Sequence, residues 1–166
     1  MKESIKNIVD DPTFTEGVAW IRRHFQANET IVKEGELGKC LYFIEEGKLR
    51  VSVQVELEER RRVQPGINDL GQGEVFGETC LYELRARTAS VIAITDGSLL
   101  EIDGEKLNIY LNDHPTQGYL FFRRLFEIIF ERMNRGNHTI ECLLAWGLKA
   151  HGIDTYLQAP GGIKQA

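Results

Sequence analysis

The feature that most constrains the fold is a run of short apolar segments, from Thr30 to Ile102, in which glycines separate one segment from the next. The segments ETIVKEG, CLYFIEEG, KLRVSVQVEL, RTASVIAIT and SLLEID are rich in β-branched and aromatic residues, as strands are. Every second residue from Leu49 to Val55 is apolar, so one face of this strand is expected to be buried and the other wet. The pattern predicts an antiparallel sandwich, jelly roll or small barrel.

A helix is predicted before the strands. Phe14, Val18, Ile21 and Phe25 follow helical spacing, which indicates a helix over residues 13–26 with one apolar stripe. Asp11 and Pro12, directly before it, are typical helix-start residues.

Helices are predicted after the strands as well. The expected boundaries are residues 105–111 with Asp103 as cap, a longer helix from Pro115 to near Gly136, and residues 139–149 with Asn137 as cap and Gly152 as stop. Apolar side chains cover most of the long helix, which is more surface than one barrel can bury. The last helix or a second copy of the chain could cover the rest, and we expect a homodimer through residues 116–135.

Charge and cysteine spacing exclude several classes of protein. A net charge of −5 and a pI near 5.4 argue against a general affinity for nucleic acid. Cys40, Cys80 and Cys142 are odd in number and far apart, which argues against zinc, iron–sulfur and disulfide frameworks and favours a reducing cytoplasm. The first residues lack the apolar core of a signal peptide, and charged residues interrupt the longest apolar stretch, so no membrane span is expected.

The segment FGETCLYELRARTASV contains the residues that predict a binding site for an anion. Counted by strand parity, Arg87 shares its face with Ala89, Val91 and Ala93, a small apolar surface for a guanidinium. Residues 78–84 can form two helical turns at most, and the amides of the first turn, residues 78–81, would point outward as anion donors. Such amides and a facing arginine make a phosphate clamp.

The same segment allows other interpretations. A structural ion pair between Arg87 and Glu78 or Glu83 agrees with the same spacing as well as the phosphate clamp does. The preceding glycines are spaced GxGxxxG, which does not match the GxGxxG fingerprint of dinucleotide-binding proteins. Gly71 and Gly73 are therefore interpreted as turn residues.

FGETCLYELRARTASV resembles the phosphate-binding cassette of the cyclic nucleotide-binding domain family, as found in bacterial catabolite-activator-type regulators. The likeness extends through ETIVKEGELGKCLYFIEEGKLRVSV upstream and SLLEIDGEKLNIYLNDHP downstream. The resemblance implies a mainly β fold, an eight-stranded antiparallel β-roll of the jelly-roll (double-stranded β-helix) type with an N-terminal helix and C-terminal helices. The expected division is a helical segment at 1–26, the roll at 27–114, lid or dimerisation helices at 115–152 and a flexible tail at 153–166.

The resemblance also implies roles for individual residues. Glu78 would accept the ribose 2′-hydroxyl, with the Gly77 backbone against the same sugar. The amides of Thr79 and Cys80 would hold the cyclic phosphate, Arg87 would balance its charge, and Thr88 would add a hydroxyl. The implied ligand-binding residues are Phe76, Gly77, Glu78, Thr79, Cys80, Arg87, Thr88 and Ala89. Arg132, Met133 and Asn134 are further contacts from a lid helix over the base, with a solvated helix face as the alternative for Arg132.

The cassette departs from the family pattern at two positions. Ala86 stands where the family usually has proline, which leaves the loop less rigid and is expected to weaken binding. Cys80 stands at the small position, either as a buried filler or as a reactive thiol at a helix start. Thr88 does not determine whether the base of the ligand is adenine or guanine. We expect cAMP as the ligand, with cGMP as the alternative.

The resulting expectation is a cytoplasmic sensor that is not an enzyme and that signals through a dimer or an unknown protein effector. About 30 residues follow Gly136, too few for the DNA-binding domain of the related regulators. A degenerate roll that binds nothing is a second possibility. A cupin metalloenzyme is a third possibility. It is disfavoured because cupins bind their metal with histidines on strands, whereas all four histidines of this chain are expected outside the strands. No metal is therefore expected.

Overall fold

The computed structural model describes residues 1–56, 62–63, 65–83 and 85–152. The helices are α1 Lys2–Val9, α2 Gly104–Asp113 and α3 Pro115–Ala150, and a short 3-10 helix spans Glu78–Leu81. The strands are β1 Trp20–Phe25, β2 Thr30–Val32, β3 Leu37–Gly38, β4 Cys40–Glu46, β5 Leu49–Ser52, β6 Val55–Glu56, β7 Arg62–Val63, β8 Gly66–Leu70, β9 Val75–Phe76, β10 Arg85–Ala86, β11 Ser90–Ala93 and β12 Gly97–Asp103.

The strands form an antiparallel roll, which confirms the predicted fold. One four-stranded sheet has the order β1-β12-β4-β9 and the other β2-β11-β5-β8, while β10 pairs with β3 and β6 with β7. Among the described residues the strands number twelve rather than the expected eight, because several short pairings are separated from longer strands by bends and turns.

The hydrophobic core lies between the two four-stranded sheets, and both contribute to it. Its buried members are Phe25, Ile31, Val32, Tyr42, Ile44, Leu49, Leu70, Phe76, Val91, Ala93 and Leu99. Alternation holds at the start of β5, where Leu49 is buried and Arg50 exposed, but Ser52 is buried instead of wet. The register between β5 and β8 shifts at Val51/Ser52, and such a shift turns the following side chain to the other face.

The helix predicted over residues 13–26 is wrong. Gly17 has φ 79°, which breaks a helix, and Trp20–Phe25 forms β1, paired with β12 along its whole length. The apparent helical stripe therefore does not face one core, since Phe14 is buried whereas Val18 is 62% exposed. Long-range strand pairing outweighs the local periodicity. The N-terminal helix is instead α1, which the sequence reasoning missed.

The predicted break near Gly136 is also wrong. A single helix, α3, runs from Pro115 to Ala150, and the Thr139 hydroxyl donates to the Arg135 carbonyl at 3.0 Å, a bond within a continuous helix. A glycine inside a helix costs only about 1 kcal/mol relative to alanine, which the surrounding helix formers offset. The predicted cap of α2 is confirmed, because Asp103 accepts a hydrogen bond from the Lys106 amide at 3.0 Å.

One tyrosine joins three segments outside the sheets. The Tyr110 hydroxyl in α2 lies 2.9 Å from Asp11 Oδ2 and 2.6 Å from Gln117 Oε1 in the first turn of α3. The Tyr110 ring stacks on His114 and packs against Phe14. The segment before β1, α2 and the start of α3 are therefore tied together by side-chain contacts.

The chain divides into two compact units, Met1–Phe122 and Arg123–Ala166. The first holds the roll, α1, α2 and the start of α3, and the described part of the second is the rest of α3. The tail predicted at 153–166 lies outside the described residues.

Stability should depend strongly on Leu99, which is fully buried in β12 between the partner strands β1 and β4. We expect Leu99→Ala to lower the free energy of unfolding by about 2–5 kcal/mol, the usual cost of a cavity in a packed core. Ile67→Ala, at an exposed position of β8, is the control and should change it by no more than about 0.5 kcal/mol. Urea titration measures both, and equal losses would contradict the assignment of the core.

Candidate ligand-binding site

Arg87 lies between β10 and β11 rather than inside a strand. Its amide donates to the Glu36 carbonyl at 2.8 Å, and its carbonyl accepts from the Gly35 amide at 2.9 Å. The face shared with Ala89 and Val91, expected from strand parity, is therefore not formed, because the chain bends at Thr88 and Ala89 before β11 begins. The backbone is nevertheless fixed on both sides of Arg87.

The guanidinium of Arg87 is buried and held by backbone carbonyls. Nη1 donates to the Gly77 carbonyl at 3.1 Å, Nη2 donates to the Cys40 carbonyl at 2.7 Å, and Cζ lies 5.5 Å from the centre of the Tyr42 ring. Only 8% of Arg87 is exposed. Tyr42 in turn stacks on Phe76 with ring centres 4.8 Å apart, and burial raises the pKa of Tyr42 to about 12, so its hydroxyl stays neutral.

The alternative ion pairs of Arg87 do not form. Within the described part of the chain, Arg87 makes no salt bridge to a carboxylate, whether Glu78 or Glu83, and Glu83 pairs with Arg85. The charge of Arg87 is thus solvated by carbonyl dipoles and an aromatic face, not by an opposite charge from these residues.

Two glycines make room for this side chain. A Cβ at Gly77 would lie 2.8 Å from both Arg87 Nη1 and the Cys40 carbonyl, and Gly77 also has φ 79°, a conformation that favours glycine. A Cβ at Gly38 would overlap the Arg87 guanidinium itself. Both positions therefore require glycine for the guanidinium to lie where it does.

The 3-10 helix that follows Gly77 is anchored from two directions. The Gly77 carbonyl, which already accepts from Arg87, also accepts from the Cys80 amide at 3.2 Å. From α2, the side-chain amide of Asn108 donates to the Leu81 carbonyl at 2.9 Å. The Cys80 amide is thus not without an internal partner, contrary to the expectation for the first turn.

The thiol of Cys80 is not activated. Burial is the largest influence and raises its pKa to about 11, and burial likewise raises the pKa of Cys40 to about 12. Cys80 packs closely against Gly104 at the start of α2, where an added Cβ would lie 2.8 Å from Sγ. Of the two interpretations left open for Cys80, these values favour a buried filler over a reactive thiol.

The other predicted site residues occupy varied environments. Phe76 is buried in the core, Gly77 and Glu78 are half-buried, and Thr79 and Thr88 are exposed. Ala89 is half-buried, next to Arg87 in the bend. The proposed lid residues Arg132, Met133 and Asn134 belong to the second compact unit, in α3.

Three residues around the guanidinium were not predicted from the sequence. Gly38 is only one of the glycines between the predicted strands, Cys40 enters the sequence analysis only as a thiol, and Tyr42 has no role in it. A glycine inside a strand often marks a close approach by another group, so Gly38 in β3 was the one available signal. The carbonyl of Cys40 could not be found in this way, because every residue has a carbonyl.

Within the described residues, a cavity, the histidine positions and the helices bear on other kinds of site. A cavity of about 330 Å³ lies between the segment before β1 and α2, with Phe14, Val18 and Tyr110 in its lining, and none of the predicted site residues borders it. His24 lies in β1, so the expectation that every histidine avoids the strands is wrong. Even so, the described residues contain no group of three or more His, Cys, Asp or Glu that could hold a metal ion. No helix in the described ranges is long and apolar enough to cross a membrane.

Comparison with known proteins agrees with this geometry. The family model described as "Cyclic nucleotide-binding domain" matches residues 22–114, more than half of the chain, including Arg87 and both glycines beside it. The chain belongs to the cyclic nucleotide-binding domain family. The match spans the roll and α2, the parts that build the candidate site.

Two relatives of known name are similar to most of this chain. The potassium/sodium hyperpolarization-activated cyclic nucleotide-gated channel 4 of Homo sapiens is 32% identical over 75% of the chain, and channel 3 of Mus musculus is 33% identical over 75%. The chain spans only 10% and 15% of the length of these channels.

Two crystal structures share the fold. A cyclic nucleotide-binding domain from Methylobacillus flagellatus has a TM-score of 0.62 and 20% identity, covering 70% of this chain and 64% of that one. The catabolite activator protein of Thermus thermophilus has a TM-score of 0.53 and 28% identity, covering 73% of this chain and 61% of that one.

The need for glycine at position 77 can be separated from the cost of its backbone conformation. Gly73→Ala is the matched control, because Gly73 has φ 85° but nothing within 4 Å of an added Cβ. Gly73→Ala should cost about 1–2 kcal/mol of unfolding free energy from backbone strain alone. Gly77→Ala should cost at least about 1 kcal/mol more, because the methyl group must displace Arg87. Equal losses in urea titrations would show that Arg87 does not approach Gly77.

Proposed function

We propose that this chain is a regulatory sensor domain that binds a cyclic nucleotide, with cAMP favoured over cGMP, and that Arg87 binds the cyclic phosphate. The observation that carries the proposal is the buried Arg87 guanidinium, which is held by two carbonyls and pairs with no carboxylate among the described residues. Family membership supports the same ligand class.

The energetics of the buried charge favour a ligand over a passive scaffold. A guanidinium has five N–H donors, and the carbonyls of Gly77 and Cys40 engage two of them. Burying a charge without an opposite charge is costly, so a roll that bound nothing would gain by losing the arginine. A cyclic phosphate carries a single negative charge and oxygens in a geometry that a planar guanidinium can bind. It would supply the counter-charge that Arg87 does not receive through an ion pair with any described carboxylate.

We propose for the remaining site residues the roles that the family resemblance implies, and their positions near Arg87 support these roles. Glu78 begins the 3-10 helix directly after Gly77, where its carboxylate would accept the ribose 2′-hydroxyl, with the Gly77 backbone against the same sugar. The amides of Thr79 and Cys80 would bind the phosphate. The Cys80 amide would then donate both to the phosphate and to the Gly77 carbonyl. Thr88 and Ala89 would line the opposite edge, and Phe76 would act through the core by supporting Tyr42.

The output of the sensor would pass through α3. Arg132, Met133 and Asn134 would contact the base, and a homodimer through residues 116–135 or an unknown protein effector would receive the change. A ligand can shift such an equilibrium only if it binds one arrangement better than the other, and contacts from α3 to the base would supply that difference. We propose that the chain binds its ligand without catalysing a reaction. We also propose a location in the reducing cytoplasm, which the three free thiols support.

Calorimetric titration with cAMP and with cGMP tests the phosphate site. Arg87→Ala should weaken binding of the preferred nucleotide by about 2–5 kcal/mol, the usual loss when one partner of a buried charge pair is removed. Arg85→Ala is the matched control, because Arg85 is exposed and pairs with Glu83. It should leave affinity nearly unchanged. Equal affinity of the native protein and Arg87→Ala for both nucleotides would refute the assignment, provided that circular dichroism shows the variant to be folded.

The role of Glu78 can be tested by changing protein and ligand together. In the native protein, 2′-deoxy-cAMP should bind about 1–3 kcal/mol more weakly than cAMP, because the Glu78 carboxylate loses its donor. In Glu78→Ala the two nucleotides should bind within about 0.5 kcal/mol of each other, since the coupled pair is already broken. Glu83→Ala should keep the native discrimination. Discrimination that survives in Glu78→Ala would assign the hydroxyl contact to another residue.

A further inference from the structure

The cavity between the segment before β1 and α2 has a mostly apolar lining. It measures about 330 Å³ and lies within the first compact unit. Its apolar lining residues are Phe14, Val18, Ala19, Ile109 and Tyr110. A cavity of this size is at the small end of the roughly 300–1,000 Å³ range of ligand pockets, which suits one aromatic ring system with a short side chain.

The turn that forms one wall of the cavity is held by its own hydrogen bonds. The Ala19 amide donates to the Thr15 carbonyl at 2.9 Å. Thr13 donates to Asp11 Oδ1 through its amide at 2.8 Å and through its hydroxyl at 2.6 Å. A site that is already ordered loses little conformational entropy when a ligand enters it.

Two further hydrogen bonds tie this turn to α2, one helical turn apart along the helix. Lys106 Nζ donates to the Val18 carbonyl at 2.6 Å, and the Tyr110 hydroxyl lies 2.9 Å from Asp11 Oδ2. The two walls are therefore fixed relative to each other, with the cavity between them. Ligand pockets are usually formed in advance in this way.

Apolar side chains from both walls remain in contact with water. Val18 is 62% exposed and Ile109 is 55% exposed, although both line the cavity. Water beside such a lining finds few hydrogen-bond partners, so an apolar group that displaces it gains affinity. Phe14 and Tyr110 add aromatic surface, which packs well against another ring. The lining therefore favours an aromatic occupant.

The charged residues of α2 make the two ends of the cavity different. Lys106 and Asp113 both belong to the lining and lie two helical turns apart, about 10 Å along the axis. Within the described ranges Lys106 forms no salt bridge, and the Val18 carbonyl takes one of its three N–H donors. An anionic group is therefore attracted to the Lys106 end and repelled from the Asp113 end.

The Asp113 end of the cavity offers hydrogen-bond acceptors. His114 Nδ1 lies 2.9 Å from the Tyr110 carbonyl, which can only accept, so Nδ1 carries the proton. In the neutral ring, Nε2 of His114 is then an acceptor, and so is the Asp113 carboxylate. An N–H group of an occupant would have partners at this end.

We propose that this cavity binds a small aromatic carboxylate, with its carboxylate on Lys106 and its ring between Val18 and Ile109. The site is separate from the proposed nucleotide site, since Arg87 does not border the cavity. The cavity also lies on one face of α2, whereas Asn108 on the opposite face contacts the 3-10 helix. The domain then takes a second ligand of a different class, and this proposal does not depend on the role of Arg87.

NMR titration of the full chain with indole-3-propionate tests the proposal. This probe carries a carboxylate, an aromatic ring system and an N–H group for the far end. Its dissociation constant should be at or below about 1 millimolar, as for a ligand of fragment size. The amide signals that shift should belong to residues 13–19 and 106–114. No shifts at about 5 millimolar probe, or shifts confined to other residues, would overturn the site.

Lys106→Met tests whether the carboxylate pairs with the lysine. It should weaken binding of indole-3-propionate about 10-fold, because a charge-assisted hydrogen bond is lost. Binding of the uncharged indole-3-propionamide should stay within about threefold of its native value. Lys48→Met, at an exposed lysine outside the lining, is the matched control and should bind both probes as the native protein does. Equal effects of Lys106→Met on the two probes would refute the pairing.

Cavity-filling variants test where the probe binds. Ile109→Trp and Val18→Trp fill the space from opposite walls, at positions exposed enough to accept a larger side chain. Each should abolish binding of both probes, while the dispersion of the amide signals shows a folded chain. Ile67→Trp, at an exposed position of β8, should bind as the native protein does. Undiminished binding in a folded filling variant would place the probe elsewhere and overturn the assignment.

Two further measurements separate this site from other interpretations. Arg87→Ala, when folded, should bind indole-3-propionate with native affinity, so the cavity and the nucleotide site can fail independently. A loss of probe binding in Arg87→Ala would contradict the separation of the two sites. Dilution of the native protein without probe should leave the signals of residues 13–19 and 106–114 unchanged. Shifts on dilution would show that a second copy of the chain fills the cavity, and the proposed ligand class would be wrong.

Discussion

The roll is organised around the burial of one positive charge. Arg87 donates to the carbonyls of Gly77 and Cys40, which belong to segments 10 and 47 residues away in sequence. A peptide carbonyl is a weaker partner than a carboxylate, so the protein fixes the guanidinium without neutralising it. Much of the surrounding sequence follows from this requirement, including the glycines at 38 and 77 and the aromatic stack of Tyr42 on Phe76.

Features of the fold could be predicted from the sequence where the local residue pattern and the tertiary structure favour the same element. The glycine-separated strands and the cap at Asp103 are local patterns, and the structure has a roll and α2 where they were expected. The cassette from Phe76 to Val91 is a local pattern too, and its Arg87 is buried, although between two strands and not inside one. Residues that act through side-chain chemistry, such as Arg87, can be found because few residue types could do the same work.

Two helix predictions failed because local periodicity and glycine are weak signals. Phe14 and Phe25 lie at helical spacing, yet six residues of β1 gain a full ladder with β12, which no local pattern reveals. Gly136 suggested a stop, yet it lies inside α3. The carbonyls that hold Arg87 could not have been predicted, since backbone contacts leave no mark on residue type. The glycine at 38 does leave such a mark, because it makes room for the Arg87 guanidinium.

The hydroxyl of Tyr110 has one proton but two oxygen neighbours, Asp11 and Gln117. Because the Asp11 carboxylate can only accept, the tyrosine proton points toward it, and the amide group of Gln117 must turn so that its NH₂ faces the phenol oxygen. The three groups then form a directed relay that runs from the opening turn of α3 to the chain's amino-terminal arm. Replacing Gln117 by glutamate would set two acceptors against a single proton, and the relay would have no consistent polarity.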